Sequence, residues 1–326
     1  MAGLAAGLVG VAYARAVLRR NDSLRRPPVR DPDGHLLPER TFLYSDGEEV
    51  SVIDAGAGPT ILWVPGADGP KETFRYQLPS FARRYRVVAA DLRIRFARDH
   101  DFDRFTDDLS ELIEELKTGP VVLVGQSLGS AIAMRFAVLY PDRIAGLVLT
   151  NPLARVSYEH VGLNRVALVP IARASVRYLP TAAARALAWL WSRLGVWIFD
   201  ASPGGDNVIE YALFTGPRTT RSSVSGKRVE LLKEIDLPSQ LSSIRAPTLV
   251  VKGPRDVYVP EEWALAIAEA IPDARYVTIP GTGHMSHVSM PGAFNQAVDR
   301  WLSDVIEPEL APEAEGESTA AEGRSE

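Results

Sequence analysis

The chain has 326 residues, 46% of them hydrophobic, which suffices for one large α/β domain with an insertion or for two small domains and argues against global disorder. Lys and Arg number 36 against 41 Asp and Glu, so the net charge of -5 gives no electrostatic basis for nucleic-acid binding. There is no cysteine, which excludes disulfides, thiolate metal sites and a cysteine nucleophile, and is compatible with a reducing, cytoplasmic setting.

Residues 1–40 read as an apolar and basic leader. Met1 to Leu18 is rich in Ala, Gly, Leu and Val with only Arg15 charged, and Arg19, Arg20, Arg25, Arg26 and Arg30 follow. A secretory signal carries its positive charge before the apolar stretch, not after it. A spanning helix needs about 20 apolar residues, so residues 1–18 are a short candidate membrane anchor, whose flanking arginines would keep the main domain on the cytoplasmic face. The competing reading is a soluble amphipathic or disordered leader.

Strand-like and helix-like segments then alternate. Glu49 to Asp54 alternates as a strand does and ends at the turn Gly56-Ala57-Gly58-Pro59; Thr60 to Val64 and Arg86 to Ala90 are continuous apolar runs. Phe105, Leu109, Leu112 and Leu116 share one face of a helix over Phe102 to Lys117. Val121 to Val124 is a strand, Ser130 to Tyr140 a helix and Ile144 to Leu149 a further strand. The alternation stops near Asn151, and residues 153–236 are helical in composition, with Trp189, Trp191 and Trp197 close together. It resumes with a strand at Thr248 to Val251, a helix at Glu261 to Ile271, a strand at Ala274 to Ile279 and an amphipathic helix at Ser289 to Leu302. Short apolar strands alternating with helices predict an α/β fold: a mostly parallel central sheet covered on both faces. The expected organisation is a core of residues 41–152 and 237–305, a helical lid of residues 153–236 inserted after the sixth strand, and a solvated acidic tail of residues 306–326. The lid aromatics are expected to pack its core more than to wall a pocket.

Gly125-Gln126-Ser127-Leu128-Gly129 lies between the Val121 strand and the following helix. A serine on so tight a turn projects its hydroxyl off the sheet edge, and flanking glycines remove the Cβ atoms that would clash there. The alternative is a glycine-rich turn whose serine only caps the helix. A serine nucleophile needs a base and a group to orient that base. Of the five histidines, His35, His100, His160, His284 and His287, only His284 directly follows the last predicted strand, on the edge where Ser127 emerges; His287 is close enough to compete. Asp256 follows the Val250-Val251 strand at the same edge. Asp91 and Asp99 precede the serine and are weaker candidates, and Asn151 stands where an acid could but carries no charge. His284 and His287 as a metal pair lack a third ligand, so neither a metal nor a cofactor is expected.

Taken in order, Gly125 to Gly129, Gly253-Pro254-Arg255-Asp256 and Gly283-His284 resemble the α/β-hydrolase superfamily over about residues 41–302. The resemblance implies Ser127 as nucleophile, His284 as general base and then acid, and Asp256 as the orienting carboxylate. It also implies an oxyanion hole from the amides of Leu128 and Ala67, with Gly66 permitting close approach. The chain departs from the family pattern at Pro65-Gly66, where His-Gly is usual, and at Ile94, where glycine usually follows the Asp-Leu-Arg run. The implied activity is hydrolysis of a small carboxylic ester or related acyl substrate, with an apolar acyl or alcohol group. Acyl transfer, perhydrolysis and C–C bond hydrolysis are alternatives on the same residues, and a non-catalytic ligand- or partner-binding protein is a further one.

Overall fold

The computed structural model describes residues 10–17, 19–20, 25–156, 163–196 and 204–310. Eight strands form one sheet: β1 (Glu39–Leu43), β2 (Glu49–Ala55), β3 (Thr60–Val64), β4 (Arg86–Ala90), β5 (Val121–Gln126), β6 (Ile144–Thr150), β7 (Thr248–Lys252) and β8 (Ala274–Thr278), in the order β1-β2-β4-β3-β5-β6-β7-β8. β1 and β2 pair antiparallel and β2 joins β4 antiparallel, while every other pairing is parallel. The carboxyl ends of β3 to β8 therefore share one edge.

The central strands are apolar throughout because both their faces are covered. Successive side chains point to opposite faces. Leu62, Leu123 and Leu147 pack with helices α1 (Asp103–Leu116) and α2 (Leu128–Leu139), through Phe105, Leu109, Leu112 and Ile132. Ile61, Trp63, Val122 and Val148 pack on the other face against Phe294, Val298 and Trp301. Between β6 and β7 the described residues form α3 (Leu163–Tyr178), α4 (Thr181–Leu194), α5 (Gly205–Phe214) and α6 (Ser222–Leu232). The first three share a separate apolar cluster in which Ala172, Ala188, Trp191 and Leu213 meet Met285 and Val288 of the core, whereas Leu231 and Leu232 of α6 join the cluster of α1 and α2. Trp191 is buried and donates to Ser175 Oγ at 3.0 Å, whereas Trp189 is exposed; Trp197 lies outside the described residues. Helix α7 (Glu261–Ala270) links β7 to β8, and α8 (Pro291–Trp301) closes the sheet.

Both ends join the fold further than the sequence pattern suggests. Residues 10–17 and 19–20 are helical, while residues 1–9 and 18 of the candidate anchor lie outside the described residues; among those described, no helix is long and apolar enough to cross a membrane. Val29 is buried in the core, Arg30 pairs with Leu36 in an isolated bridge, and β1 starts at Glu39, so the leader does not end cleanly at residue 40. Arg26 donates to Glu72 at 2.7 Å and to Asp91 at 2.9 Å; the fully buried Lys71 ammonium sits 3.0 Å from Glu39 and 3.1 Å from Glu72. At the other end the chain stays helical to Leu310, past the expected start of the tail. Ile306 extends the apolar face begun by Phe294 and Val298, and Glu307 accepts hydrogen bonds from Arg84 and Tyr85. Residues 311–326 of the expected tail lie outside the described residues.

Candidate active site

Ser127 is the single residue between β5 and α2, with φ 54° and ψ -115°. That backbone costs a non-glycine residue energy and persists only where the surroundings fix it. Here the Ser127 amide donates to Thr150 O at 3.0 Å, and the glycines on either side admit close neighbours. A Cβ on Gly125 would lie 2.3 Å from Gly129 O, and one on Gly129 would lie 2.1 Å from Val64 O. Only glycines let the helix begin this close to the end of β3.

Asp256 follows β7 and His284 follows β8, and the two meet: His284 Nδ1 lies 2.8 Å from Asp256 Oδ2. The Asp256 side chain is fully buried, and every donor around it favours the carboxylate. Asn151 Nδ2 donates to Oδ2 at 2.8 Å, while the amides of Tyr258 and Val259 donate to Oδ1 at 2.9 and 3.2 Å. Burial pushes the Asp256 carboxyl upward, but the charge and hydrogen bond of His284, the Lys252 ammonium 3.6 Å away and the Tyr258 amide outweigh it, so its pKa falls below the ordinary range. Asn151 itself has a left-handed φ of 46°, donates also to Gly283 O at 2.8 Å and accepts from the Gly253 amide at 2.9 Å. It thereby ties the loops after β7 and β8 to the end of β6.

Ser127 and His284 line one cavity, together with Gly66, Ala67 and Gln126. Among the described residues no hydrogen bond joins Ser127 to His284 in this conformation. Bonds of this kind are often long before a substrate is bound. Leu128 is the first residue of α2, so its amide has no intrahelical acceptor and is available at the elbow. Ala67 lies on the loop after β3, and a Cβ on Gly66 would come 2.2 Å from Gln126 Oε1, so the glycine expected to permit close approach does so toward a side chain of the elbow. Pro65 leaves this loop intact: Gly69 donates to Gly66 O at 2.9 Å and closes a turn.

The cavity measures about 730 Å³. Its floor is the strand edge; its roof comes from the inserted helices through Val169, Arg173, Tyr211 and Val229, and Tyr258 and Trp263 close one side. A pocket of this size, mostly apolar with a few converging polar groups, takes a small organic molecule.

Residues 61–297 match the family model described as "Alpha/beta hydrolase family". The chain belongs to that family. Among its relatives, a 2-hydroxy-6-oxo-6-(2'-aminophenyl)hexa-2,4-dienoic acid hydrolase of Metapseudomonas resinovorans is 26% identical over 276 residues, covering 80% of this chain and 90% of the relative. A 2-hydroxy-6-oxo-6-phenylhexa-2,4-dienoate hydrolase of Burkholderia cepacia is 27% identical, covering 78% and 91%. Among solved structures, a thermophilic esterase from Thermogutta terrifontis superposes with a TM-score of 0.63 at 26% identity, covering 82% of this chain and 99% of the esterase.

Within this α/β-hydrolase the other described histidines stand apart from the cavity. His287 is fully buried, with Nε2 3.0 Å from Thr73 Oγ1, and burial together with the charge of His284 pushes its pKa down to about 3. His35 lies beside Asp31 on the surface, His100 lies beside Arg93, and His160 is outside the described residues. Asp91 is taken up by Arg26 and Lys71, away from the cavity. Ile94, in place of the usual glycine, is an exposed residue whose amide donates to Glu48 at 2.7 Å.

Sequence reasoning missed two residues. Arg228 of α6 is 1% exposed and donates to the carbonyls of Ala67, Asp68, Leu92 and Arg93 at 2.7 to 3.2 Å. Burial lowers its pKa to about 10. Gly69 makes room for it, since a Cβ there would lie 2.0 Å from Arg228 Nη1. Asp68, next to Ala67, faces the cavity, and burial pushes its carboxyl up against the pull of Arg173 and Arg228. Neither residue sits in a recognisable motif; the glycine at 69 was the only local sign of a close approach.

Proposed function

We propose that this α/β-hydrolase is a serine hydrolase that cleaves a small carboxylic ester through an acyl-enzyme. The observation that carries the reading is the 2.8 Å contact between His284 and a buried, ionised Asp256, with His284 and the strained Ser127 lining the same cavity. Asp256 holds the imidazole so that Nε2 faces the cavity. His284 Nε2 takes the Ser127 proton as Oγ attacks the ester carbonyl, and the negative charge passes to the carbonyl oxygen, held by the Leu128 and Ala67 amides. Each such donor is worth about 3 kcal/mol in the transition state. The tetrahedral species collapses, the C–O bond to the alcohol breaks, and His284 gives its proton to the leaving oxygen. Water deprotonated by His284 then attacks the acyl-enzyme, and collapse returns the proton to Ser127. Residues 153–236 act as the lid, excluding bulk water and shaping the acyl site.

Ser127→Ala is expected to abolish ester turnover and labelling by a fluorophosphonate probe. Equal labelling of variant and native protein would sink the proposal.

The two relatives named above favour a second reading. A 6-oxo dienoate has no ester, so its hydrolysis breaks the carbon–carbon bond beside the ketone. The same Ser127, His284 and oxyanion donors serve that reaction. Turnover of such a dienoate without turnover of esters would establish it over the first.

A further inference from the structure

Helices α3 and α4 form an antiparallel hairpin whose outer surface is apolar. On α3 the inward face is Ala172, Ser175 and Val176, whereas the outward stripe is Pro170, Ile171, Ala174 and Tyr178, with Ile171 54% exposed. On α4 the inward face is Ala184, Ala188 and Trp191. Its outward stripe is Ala182, Ala186, Trp189, Leu190 and Leu194, with Trp189 and Leu194 both 52% exposed. A surface helix ordinarily turns polar residues outward; a contiguous stripe of large exposed apolar side chains marks a contact surface.

Charge says by what. From Leu163 to Leu194 the chain carries no acidic residue, although its net charge is -5. Arg177 is buried against the Arg218 and Thr220 carbonyls and Arg173 lines the cavity, whereas Arg185, paired with Glu210 of α5, and Arg193 are exposed on α4. Arg193 lies over the Trp189 ring at 4.6 Å from its centroid, so a cation and an indole stand together on the exposed face. This is the composition of a helix lying in a bilayer interface, with Trp and Leu among the acyl chains and Arg reaching the headgroups. A second copy fits less well, since face-to-face pairing would oppose two faces that present Arg185 and Arg193 and no acidic residue of their own.

A second basic, apolar element lies nearby. The N-terminal helical residues expose Val11, Tyr13, Arg15, Arg19 and Arg20. Arg20 is close enough to Arg218 for their charges to repel, and Arg218 donates to Leu179 O at 3.0 Å, in the turn between α3 and α4.

We propose that the outer face of the α3–α4 hairpin docks on an anionic lipid surface. Val169, Pro170 and Arg173 of α3 line the cavity, and Pro170 also belongs to the outward stripe, so the docked protein turns the cavity edge toward the bilayer. Resting on the ester-hydrolase reading, the substrate class is then an ester that partitions into membranes.

The test is co-sedimentation of the full chain with phosphatidylcholine vesicles with and without phosphatidylglycerol. Native protein is expected to sediment with the anionic vesicles and only weakly with neutral ones. The triple variant Trp189→Ser, Leu190→Ser, Leu194→Ser should bind on the order of 10-fold or more weakly, since it removes three large apolar side chains from the interface. Its turnover of a short soluble ester and its melting temperature should be unchanged. Leu194→Glu alone, expected to weaken binding in the same direction, covers the case in which the triple variant fails to fold. Native protein that ignores both vesicles, or variants that bind as the native chain does, would overturn the proposal. So would a native dimer that these variants dissociate, which would make the face a contact between copies. Vesicle binding without ester turnover would leave the docking standing and reject only the substrate class.

Discussion

Arg228 reaches from helix α6 to the carbonyl of Ala67 at 3.1 Å, joining the inserted helices to the loop that bears a proposed oxyanion amide. With its bonds to Asp68, Leu92 and Arg93, the guanidinium holds two loops at the carboxyl ends of β3 and β4. Removing it leaves several buried carbonyls without a donor, at about 1 to 3 kcal/mol for an orphaned group. Arg228→Met is expected to lower the melting temperature and to reduce kcat more than it raises KM. Arg228→Lys, with three donors instead of five, should recover part of both. Thermal melts and steady-state kinetics on the two variants check this, and an unchanged kcat in a folded Arg228→Met protein would show the clamp to be structural only.

The orienting pair gives a graded series. Asp256→Asn is expected to cut kcat by about 10³ to 10⁴, because the imidazole loses both its tautomeric bias and its counter-charge. Asn151→Asp places a second carboxylate against Asp256 Oδ2, where Asn151 now donates at 2.8 Å. Like charges this close raise one of the two pKa values, so the acid limb of the kcat profile should move to higher pH. Asn151→Gly, which tolerates the φ of 46° at this position, should leave the limb in place and lower kcat modestly. A pH–rate profile of the three variants separates these outcomes.

His287 makes acid sensitivity a property of the fold. Its pKa falls from 6.5 to about 3 on burial, so the unfolded chain binds a proton that the native state refuses throughout that interval. Its contribution to stability is complete above the unfolded value and is lost as pH falls toward the folded one, by up to about 1.4 kcal/mol per pH unit. His287→Gln is expected to flatten the decline of melting temperature between these two pH values. A variant that loses stability on acidification as steeply as the native protein would refute the assignment.

Trp263 stands in the wall of the main cavity and also in that of a neighbouring groove of about 420 Å³ lined by Ala154, Leu241 and Ile267. Trp263→Ala should join the two spaces and shift the ester preference toward longer acyl chains. An acyl-length panel of kcat/KM values checks it; a preference unmoved by the substitution would show that the chain lies elsewhere in the cavity.

What the sequence made legible was whatever depends on local pattern. The runs from Thr60, Arg86 and Val121 are strands because they are short, apolar and β-branched, and the glycines of residues 125–129 sit where the backbones approach most closely. Asp256 and His284 could be placed on one edge because parallel strands share it. The rest is tertiary. Nothing near residue 228 distinguishes a buried arginine from a solvated one on a helix, and Asp68 gains its environment from helices more than 100 residues away. The C-terminal helix runs past its apolar pattern because Glu307, solvated by its sequence context, is held by Arg84 and Tyr85. Trp189 was expected to pack within the helical segment; it faces outward because Ala184 and Ala188 leave only the opposite face of α4 flat enough to meet α3.

The contact of Gly129 with the end of β3 fixes how this protein can be re-engineered. A Cβ at that glycine would meet the Val64 carbonyl, so the start of α2 and the loop after β3 cannot be moved relative to one another by side-chain changes at the elbow. The spacing between Ser127 and Ala67 is therefore a constant of the scaffold. New substrate preferences would have to be selected in the roof and side walls, at Val169, Val229 or Trp263, which lie away from the sheet edge.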